Sequence, residues 1–210
     1  MKMDVALASG SPRRAELLRQ IGVNFCIVVS QVEEGEAREP FSLWVQELAK
    51  AKALAVAAHS RGIVLGADTI VVHKNRVLGK PRNTEEAKAM LAFLSGSVHE
   101  VMTGVCVVDN YRNKIYQDYE VTKVHFRKLS AGEINTYVAS GEPMDKAGAY
   151  GIQGLGALLV AGIEGCYFNV VGLPLVKTMH LLRQCGLDIL GEGGYEKNIP
   201  DRSCIDQELP

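Results

Sequence analysis

Two adjacent arginines follow a proline near the beginning of the chain, where a short buried strand over residues 5–8 leads into a predicted helix. Ser11 suits the N-cap position of that helix and Pro12 its first turn. The first N–H groups of a helix lack partners within it, and the helix dipole is positive at that end, so an anion is stabilised there. The polar side chains available to such an anion are those of Ser9, Ser11, Arg13 and Arg14. Because forked guanidinium groups suit phosphate oxygens, the stretch predicts a phosphate-binding site, with a capped helix and solvated arginines as the alternative.

Two lysines are candidates for further contacts with phosphate. Lys52 lies in the alanine-rich stretch "ELAKAKALA", where Lys50 is a competing candidate and a solvated helix face is the alternative. Lys80 lies between Gly79 and Pro81 in "VLGKPRN". Glycine permits an unusual backbone conformation and proline restricts the residue before it, so this segment would present one ammonium group rigidly.

Asp68 separates two strongly apolar segments, "VLGA" and "TIVV". A carboxylate is costly to bury unless it is paired, hydrogen-bonded or bound to a metal. We therefore expect Asp68 at the end of a strand, facing a cleft, where α/β proteins commonly carry catalytic groups. A turn carboxylate that accepts hydrogen bonds from local N–H groups is the alternative.

An acidic loop follows the second predicted strand and contains the adjacent residues Glu33 and Glu34. Adjacent side chains usually point to different sides of the chain, so at most one of the two is expected to enter a site. Hard cations such as Mg²⁺ bind carboxylate oxygens together with substrate phosphates. The pair therefore offers a candidate metal ligand, with a solvated acidic loop as the alternative.

The stretch "GAYGIQGLG" contains too many glycines for regular structure throughout, and its turns would let the backbone approach a ligand closely. Gln153 lies in this loop, and its amide both donates and accepts hydrogen bonds, which suits the edge of a base. The stretch is not a dinucleotide-binding fingerprint, because no strand–turn–helix arrangement surrounds a G-x-G-x-x-G motif. A loop without a ligand is the alternative.

Hydrophobic patterning predicts the elements that position these groups. After the first helix, a strand is expected over residues 25–29 and a long helix from Ser42 to about His59. The stretch "GIVLGADTIVVHKNRVLGKPRN" is typical of a buried strand, a break at Gly66, a second strand and a tight turn at Asn75.

The second half of the chain continues the alternation of helices and strands. We expect, in order, a helix from Thr84 to Gly96, two long alternating antiparallel strands, a capping box formed by Ser130 and Glu133, and a last helix from Pro174 to about Gly186. This pattern predicts an α/β fold with a mixed, partly antiparallel twisted sheet flanked by helices. A single domain is expected over residues 1–190, followed by a polar tail over residues 191–210.

Composition narrows the classes of function. A net charge of −1 and an aromatic content of 6% disfavour a nucleic-acid groove and a membrane surface as partners. Neither a signal peptide nor a membrane span is predicted. The five cysteines lack the spacing of a zinc or redox motif, so we expect reduced thiols and a cytoplasmic location.

Five stretches taken together, "ASGSPRR", "GADTIVV", "VLGKPR", "DKAGAYGIQG" and "VVGLPL", resemble the Maf family of nucleoside triphosphate pyrophosphatases. The resemblance follows the family's order and extends over about residues 4–190. It implies a Maf/ITPase-like fold around a central nucleotide-binding cleft, and hydrolysis of a nucleoside triphosphate to the monophosphate and pyrophosphate. It also implies a divalent metal, Mg²⁺ or Mn²⁺, and, by analogy with relatives, a homodimer.

The resemblance further assigns roles to the candidate residues. Ser9, Arg13 and Arg14 match residues of the phosphate loop, and Ser11 lies between them. Lys52 and Lys80 match the family's two catalytic lysines, and Asp68 matches the proposed proton acceptor. Glu34 rather than Glu33 matches the acidic position, which with Asp68 would bind the metal. Arg13, Thr69 and Gln153 match positions tied to substrate choice.

The motif "AYGIQG" resembles the subfamily that prefers dTTP and UTP. The subfamily that acts on 7-methyl-GTP has an acidic residue where this chain has Gln153. The expected function is therefore hydrolysis of dTTP, UTP and modified pyrimidine nucleotides. The alternatives are a pyrophosphatase for another base, such as 7-methyl-GTP, and a non-enzymatic regulator of septum formation that binds nucleotides or nucleic acid.

Overall fold

The computed structural model describes residues 5–33 and 35–191 of the chain. The polar tail predicted at the carboxyl end therefore lies almost wholly outside the described residues, as does Glu34. The strands are β1 (Val5–Leu7), β2 (Phe25–Ile27), β3 (Ile63–His73), β4 (Arg76–Leu78), β5 (Val98–Asp109), β6 (Lys114–Phe126) and β7 (Val160–Glu164). The α-helices are α1 (Pro12–Gln20), α2 (Phe41–Ala57), α3 (Thr84–Leu94), α4 (Ala131–Ala139), α5 (Tyr167–Val171) and α6 (Leu175–Gln184).

These strands form one mixed sheet, as the sequence predicts. Their order is β2-β1-β3-β5-β6-β7, and β4 pairs with β3. Strand β1 is parallel to both β2 and β3, whereas the β3–β4 and β6–β7 pairs are antiparallel. The central strand β5 is buried along nearly its whole length rather than alternating, because strands inside a sheet that is covered on both faces are apolar throughout.

Two compact units can be distinguished within the chain, and their boundaries fall inside β3, β5 and β6 and at the end of α5. Of the described residues, the first unit comprises those up to Asp68, the segment Gly104–Tyr119 and residues 172–191. The second comprises Thr69–Thr103 and Glu120–Val171. Each unit has its own apolar core. Within the described residues, no helix has the length and apolar character that a membrane span requires.

Several local sequence signals are confirmed. Helix α1 begins at Pro12 with Ser11 at its N-cap. The turn after β3 places Lys74 and Asn75 at φ of 48° and 61°, the mirror-image turn that matches the twist of a β-hairpin. The capping box of α4 is present, since the side chains of Ser130 and Glu133 each accept a hydrogen bond from the other residue's backbone N–H.

The predicted cap at Ser42 is wrong. Helix α2 begins at Phe41, with Pro40 at its N-cap position. The carbonyl oxygen of Pro40 accepts hydrogen bonds from the N–H groups of Leu43 and Trp44 at 3.0 and 3.2 Å, which closes the first turn earlier than the serine suggests. Pro40 makes no side-chain capping bond, so α2 begins without the side-chain cap that the serine predicted.

The predicted break at Gly66 is also wrong, because β3 runs without interruption from Ile63 to His73. A Cβ atom at Gly66 would collide with the carbonyl oxygen of Ala49 and lie 2.8 Å from the nitrogen of Ala53. At Gly104 on β5 it would collide with the carbonyl oxygen of Val45. The glycines therefore let the backbone of α2 approach the sheet closely.

Candidate active site

The segment between β1 and α1 is held together by a network of hydrogen bonds. The Ser9 hydroxyl oxygen accepts from the backbone N–H of Ser11 at 3.3 Å and from a guanidinium nitrogen of Arg14 at 2.9 Å. Nε of Arg14 donates to the carbonyl oxygen of Gly172 at 2.8 Å. With both acceptor positions used, Ser9 still has its own O–H to donate to an anion.

The two arginines therefore have different surroundings. Arg14 is buried and binds the protein's own oxygens, whereas Arg13 is half-buried on the first turn of the helix. Ser11 occupies the N-cap position, and its side chain makes no capping bond to the described backbone. We infer that Arg14 shapes the start of the helix, and that Arg13, Ser9 and Ser11 are the groups better placed to meet phosphate oxygens.

Asp68 lies in the middle of β3 rather than at a strand end, so that prediction is wrong. Strand β3 continues through Gly66, because this glycine accommodates the backbone of α2 and does not interrupt the strand. One carboxylate oxygen of Asp68 lies 2.5 Å from Nζ of Lys52, and their side chains are 7% and 12% exposed. Burial of the carboxylate is thus compensated by an opposite charge, as the sequence argument requires.

The register of the sheet relates Asp68 to the phosphate loop. Leu7, the last residue of β1, is the partner of Leu65 in parallel β3. Asp68 is three residues further along β3, which corresponds to roughly 10 Å beyond the level at which β1 ends. Asp68 therefore lies on the carboxyl side of β1, the side on which α1 begins. Ligands of α/β sheets bind outside the carboxyl ends of strands.

Helix α2 supplies the lysine that Asp68 binds. The close approach at Gly66 is made by the backbone of Ala49 and Ala53, and Lys52 lies in the same turn of the helix. A side chain from this turn therefore needs to extend only two residues along β3 to reach Asp68. Of the two lysines left open by the sequence, the structure pairs Lys52, not Lys50, with the aspartate.

The candidates for base recognition belong to the second unit. The Thr69 hydroxyl lies 2.9 Å from that of Thr103, which donates to the backbone oxygen of Asn169 at 3.1 Å. Since Thr103 has a single O–H, Thr69 is the donor in the bond between the two hydroxyls. Gln153 is exposed at the start of a 3-10 turn formed by Gly154–Leu159.

The glycine-rich loop and the loop of Lys80 are joined through their backbones. The N–H of Gly148 donates to the carbonyl oxygen of Gly79 at 3.0 Å, and the Lys80 side chain is exposed beside this contact. Gly148, Ala149 and Gly154 have φ of 68°, 58° and 63°. These left-handed conformations confirm the prediction that the stretch is not regular structure.

Sequence reasoning missed two buried residues, His99 on β5 and Tyr150, which belongs to this loop. Nε2 of His99 lies 2.7 Å from the Tyr150 hydroxyl oxygen, and the residues are 2% and 5% exposed. Burial lowers the pKa of His99 to about 3, so the imidazole is neutral at physiological pH. The available signal was a histidine within the apolar strand sequence "VHEVMTGVCVVD".

A family model described as "Maf-like protein" matches residues 4–185. The chain belongs to the Maf family. Every candidate site residue named from the sequence lies within the matched range, including Glu34.

Curated relatives of this Maf chain carry the name "dTTP/UTP pyrophosphatase". The protein from Moorella thermoacetica is 55% identical over 189 residues, covering 89% of this chain and 97% of that protein. The protein from Bacillus cereus (strain B4264) is 52% identical, covering 88% and 97%. That from Acetivibrio thermocellus is 49% identical, covering 89% and 97%. A solved structure, "Structure of a HAM1 protein from Coxiella burnetii", aligns with a TM-score of 0.49 at 13% identity, covering 87% of this chain and 99% of that chain.

The metal predicted for this Maf chain rests on Asp68 and on Glu34, which lies outside the described residues. Glu33 is exposed and borders, with Trp44 and Glu47, an open cavity of about 460 Å³. The described residues contain no cluster of three or more metal-ligating side chains. Mg²⁺ usually keeps only one or two carboxylates and takes its other oxygens from phosphates and water, so Asp68 fits such a site.

Proposed function

We propose that this protein hydrolyses nucleoside triphosphates to monophosphates and pyrophosphate, with dTTP and UTP as its preferred substrates. Membership of the Maf family and the names of relatives about 50% identical over most of the chain support this. The observation that carries the proposal is the buried pair of Asp68 and Lys52 on the side of the sheet where α1 begins. A protein that only bound an anion would gain nothing from a buried carboxylate there.

The triphosphate is bound by groups of the first unit. The N–H groups at the start of α1 and the hydroxyls of Ser9 and Ser11 donate to phosphate oxygens. Arg13 adds a forked cation, and Arg14 holds Ser9 and the carbonyl oxygen of Gly172 so that this surface keeps its shape. In this proposal positive charge matters most as the pyrophosphate leaves, because charge then builds on its oxygens.

Asp68 acts on the water that attacks the α–β linkage. It orients the water and accepts its proton, while Lys52 keeps the carboxylate in place through their 2.5 Å contact. Mg²⁺ or Mn²⁺, held by Asp68 and Glu34, would neutralise charge on the phosphate oxygens. Lys80, the other lysine predicted from the sequence to contact phosphate, adds a further positive charge.

Base selection is assigned to Gln153, Thr69 and Arg13. A site that recognises a base through hydrogen bonds discriminates strongly, because the wrong base leaves buried polar groups unpaired. Thr69 donates its O–H to Thr103, so towards a base the Thr69 oxygen can act only as an acceptor, which suits an N–H of uracil or thymine. Substitution of Gln153 by glutamate tests this assignment, since it should change the ranking of nucleotides.

The deciding experiment measures release of pyrophosphate from dTTP, UTP, CTP, GTP, ITP and 7-methyl-GTP, each with Mg²⁺, Mn²⁺ or a chelator. We expect fastest release from dTTP and UTP, and loss of release in the chelator. Asp68→Asn should lower the rate by roughly 10²–10⁴. Asp118→Asn is the matched control, because Asp118 also binds a lysine, Lys177 at 3.0 Å, but in a pair that is only partly buried.

Near-normal turnover by Asp68→Asn would refute the role of Asp68. A different preferred base would refute the assigned preference and leave hydrolysis standing. Tight nucleotide binding without release of pyrophosphate in any metal would refute the enzyme and favour a nucleotide-binding regulator.

A further inference from the structure

A buried polar pair joins the loop that carries Gln153 to strand β5. His99 and Tyr150 are bonded at 2.7 Å in a cluster of rings completed by Phe126, whose centroid lies 5.0 Å from that of His99 and 4.6 Å from that of Tyr150. Both contacts of Phe126 are edge-on. Packing alone would be served by apolar side chains, and burying a hydroxyl and an imidazole is costly. Their mutual bond offsets part of this cost, while Nδ1 of His99 is buried without a partner among the described residues. The hydrogen bond between His99 and Tyr150 therefore orients the two side chains relative to each other, in addition to the volume that they fill.

We propose that His99 is a positioning residue, which through its hydrogen bond to Tyr150 fixes the loop of Gln153 and so sets discrimination between bases. The inference rests on the proposed function. Tyr150 is three residues from Gln153, and the intervening chain includes Gly151, whose N–H donates to the Tyr137 hydroxyl at 3.3 Å. Two successive loop residues, Tyr150 and Gly151, are thus bonded to side chains outside the loop.

The backbone on the other side of Tyr150 explains why such a hold is needed. Ala149 has a φ of 58°, a strained conformation that a residue with a Cβ atom seldom adopts. Gly148 beside it is also left-handed, and its Cβ would lie 3.1 Å from the Val71 side chain. A strained segment persists only where neighbouring contacts enforce it. The anchored Tyr150 ring is such a contact.

The hydrogen bond between His99 and Tyr150 also affects a second candidate residue, Lys80. Gly148 donates its N–H to the carbonyl oxygen of Gly79, the residue before Lys80. A shift of the loop at Tyr150 would therefore move the backbone that presents Lys80 as well as the backbone that presents Gln153. We expect loss of the hydrogen bond to weaken nucleotide binding in general and base discrimination in particular.

The test uses variants that differ in whether they keep the hydrogen bond between His99 and Tyr150. Tyr150→Phe removes only the hydroxyl. His99→Asn removes the nitrogen at the Nε2 position, whereas His99→Gln places an amide nitrogen near it. Phe126→Leu is the control, because it loosens the same ring cluster without touching the bond. For each, kcat and KM are measured for dTTP and CTP, together with Kd for their non-hydrolysable α,β-imido analogues and the melting temperature.

Tyr150→Phe and His99→Asn should raise KM and lower the dTTP-to-CTP ratio of kcat/KM roughly tenfold, the size expected for one buried hydrogen bond. His99→Gln should largely restore the ratio, and Phe126→Leu should keep it despite a lower melting temperature. An unchanged ratio in Tyr150→Phe, or an equal loss in Phe126→Leu, would overturn the proposal. If the wild-type protein releases no pyrophosphate, the proposed function fails, and the ratio of analogue Kd values still decides the role of His99.

Discussion

The ion pair of Lys52 and Asp68 can be tested for stability separately from catalysis. Lys52→Met leaves a carboxylate without its 2.5 Å partner in a site where the side chains are 7% and 12% exposed. Removing one member of a buried pair typically destabilises by roughly 3–5 kcal/mol. Because some solvent reaches both groups, we expect the lower part of that range. For a chain of this length, about 3 kcal/mol corresponds to a fall in melting temperature of roughly 6–12 °C.

The double variant carries the decisive information. With Lys52→Met and Asp68→Asn together, no unpaired charge stays buried, so the losses should not add. We expect the double variant to be more stable than the sum of the single losses predicts, by about 1–3 kcal/mol. Urea unfolding at constant pH and salt measures all three variants, and their m-values report whether unfolding stays two-state.

The matched control is Lys50→Met, which removes a lysine two residues earlier on the same helix and leaves the pair intact. It should keep both stability and turnover. Additive losses in the double variant, or a Lys52→Met protein as stable as Lys50→Met, would refute the reasoning that burial of Asp68 depends on Lys52. All variants that lack either member of the pair should lose pyrophosphate release, since that role needs both groups.

Three further predictions follow from the buried contacts. As pH falls from 6.5 to 3, unfolded His99 binds a proton that the folded chain excludes, so the unfolding free energy should fall by about 1 kcal/mol per pH unit from this residue. Urea titrations from pH 7.5 to 5 should show a shallower fall in His99→Gln. Arg14→Lys should lose about 1–3 kcal/mol of stability with its bonds to Ser9 and Gly172, whereas the main effect of Arg13→Lys should be a lower nucleotide affinity. Gly104→Ala should cost about 3 kcal/mol or more, because its Cβ meets backbone. Gly132→Ala on α4, whose Cβ would make only an ordinary 3.9 Å contact with the Ser130 hydroxyl, should be neutral or stabilising in the same unfolding assay.

Signals carried by neighbouring residues were predictable from the sequence. The capping box at Ser130, the turn at Asn75 and the start of α1 each depend on backbone bonds within a few residues. The irregularity of the loop around Gly148 was predictable from its glycine content, although the contacts that hold the loop involve distant residues. Local chemistry also placed polar candidates at the start of α1, because serine and proline favour the first turn of a helix and arginine suits an anion bound there.

Features that depend on distant parts of the chain were not predictable. A glycine in an apolar run is typical of a break between two strands. No residue near Gly66 in the sequence indicates that the backbone of a helix packs against it. Asp68 was recognised as a carboxylate in need of a partner, but the identity of that partner depends on how α2 packs. The role of His99 was not predictable because it depends on a hydrogen bond to Tyr150, which is 51 residues away along the chain.

The contact between α2 and the sheet limits how this chain can vary. Substitutions inside a core of side chains can usually be relieved by a second change that returns the lost space. At Gly66 and Gly104 the obstructing atoms are main-chain carbonyl oxygens of Ala49 and Val45, which every amino acid shares. No second substitution on the helix removes them. In a saturation library selected for activity, we therefore expect these two positions to stay glycine and to resist rescue by suppressor mutations in α2.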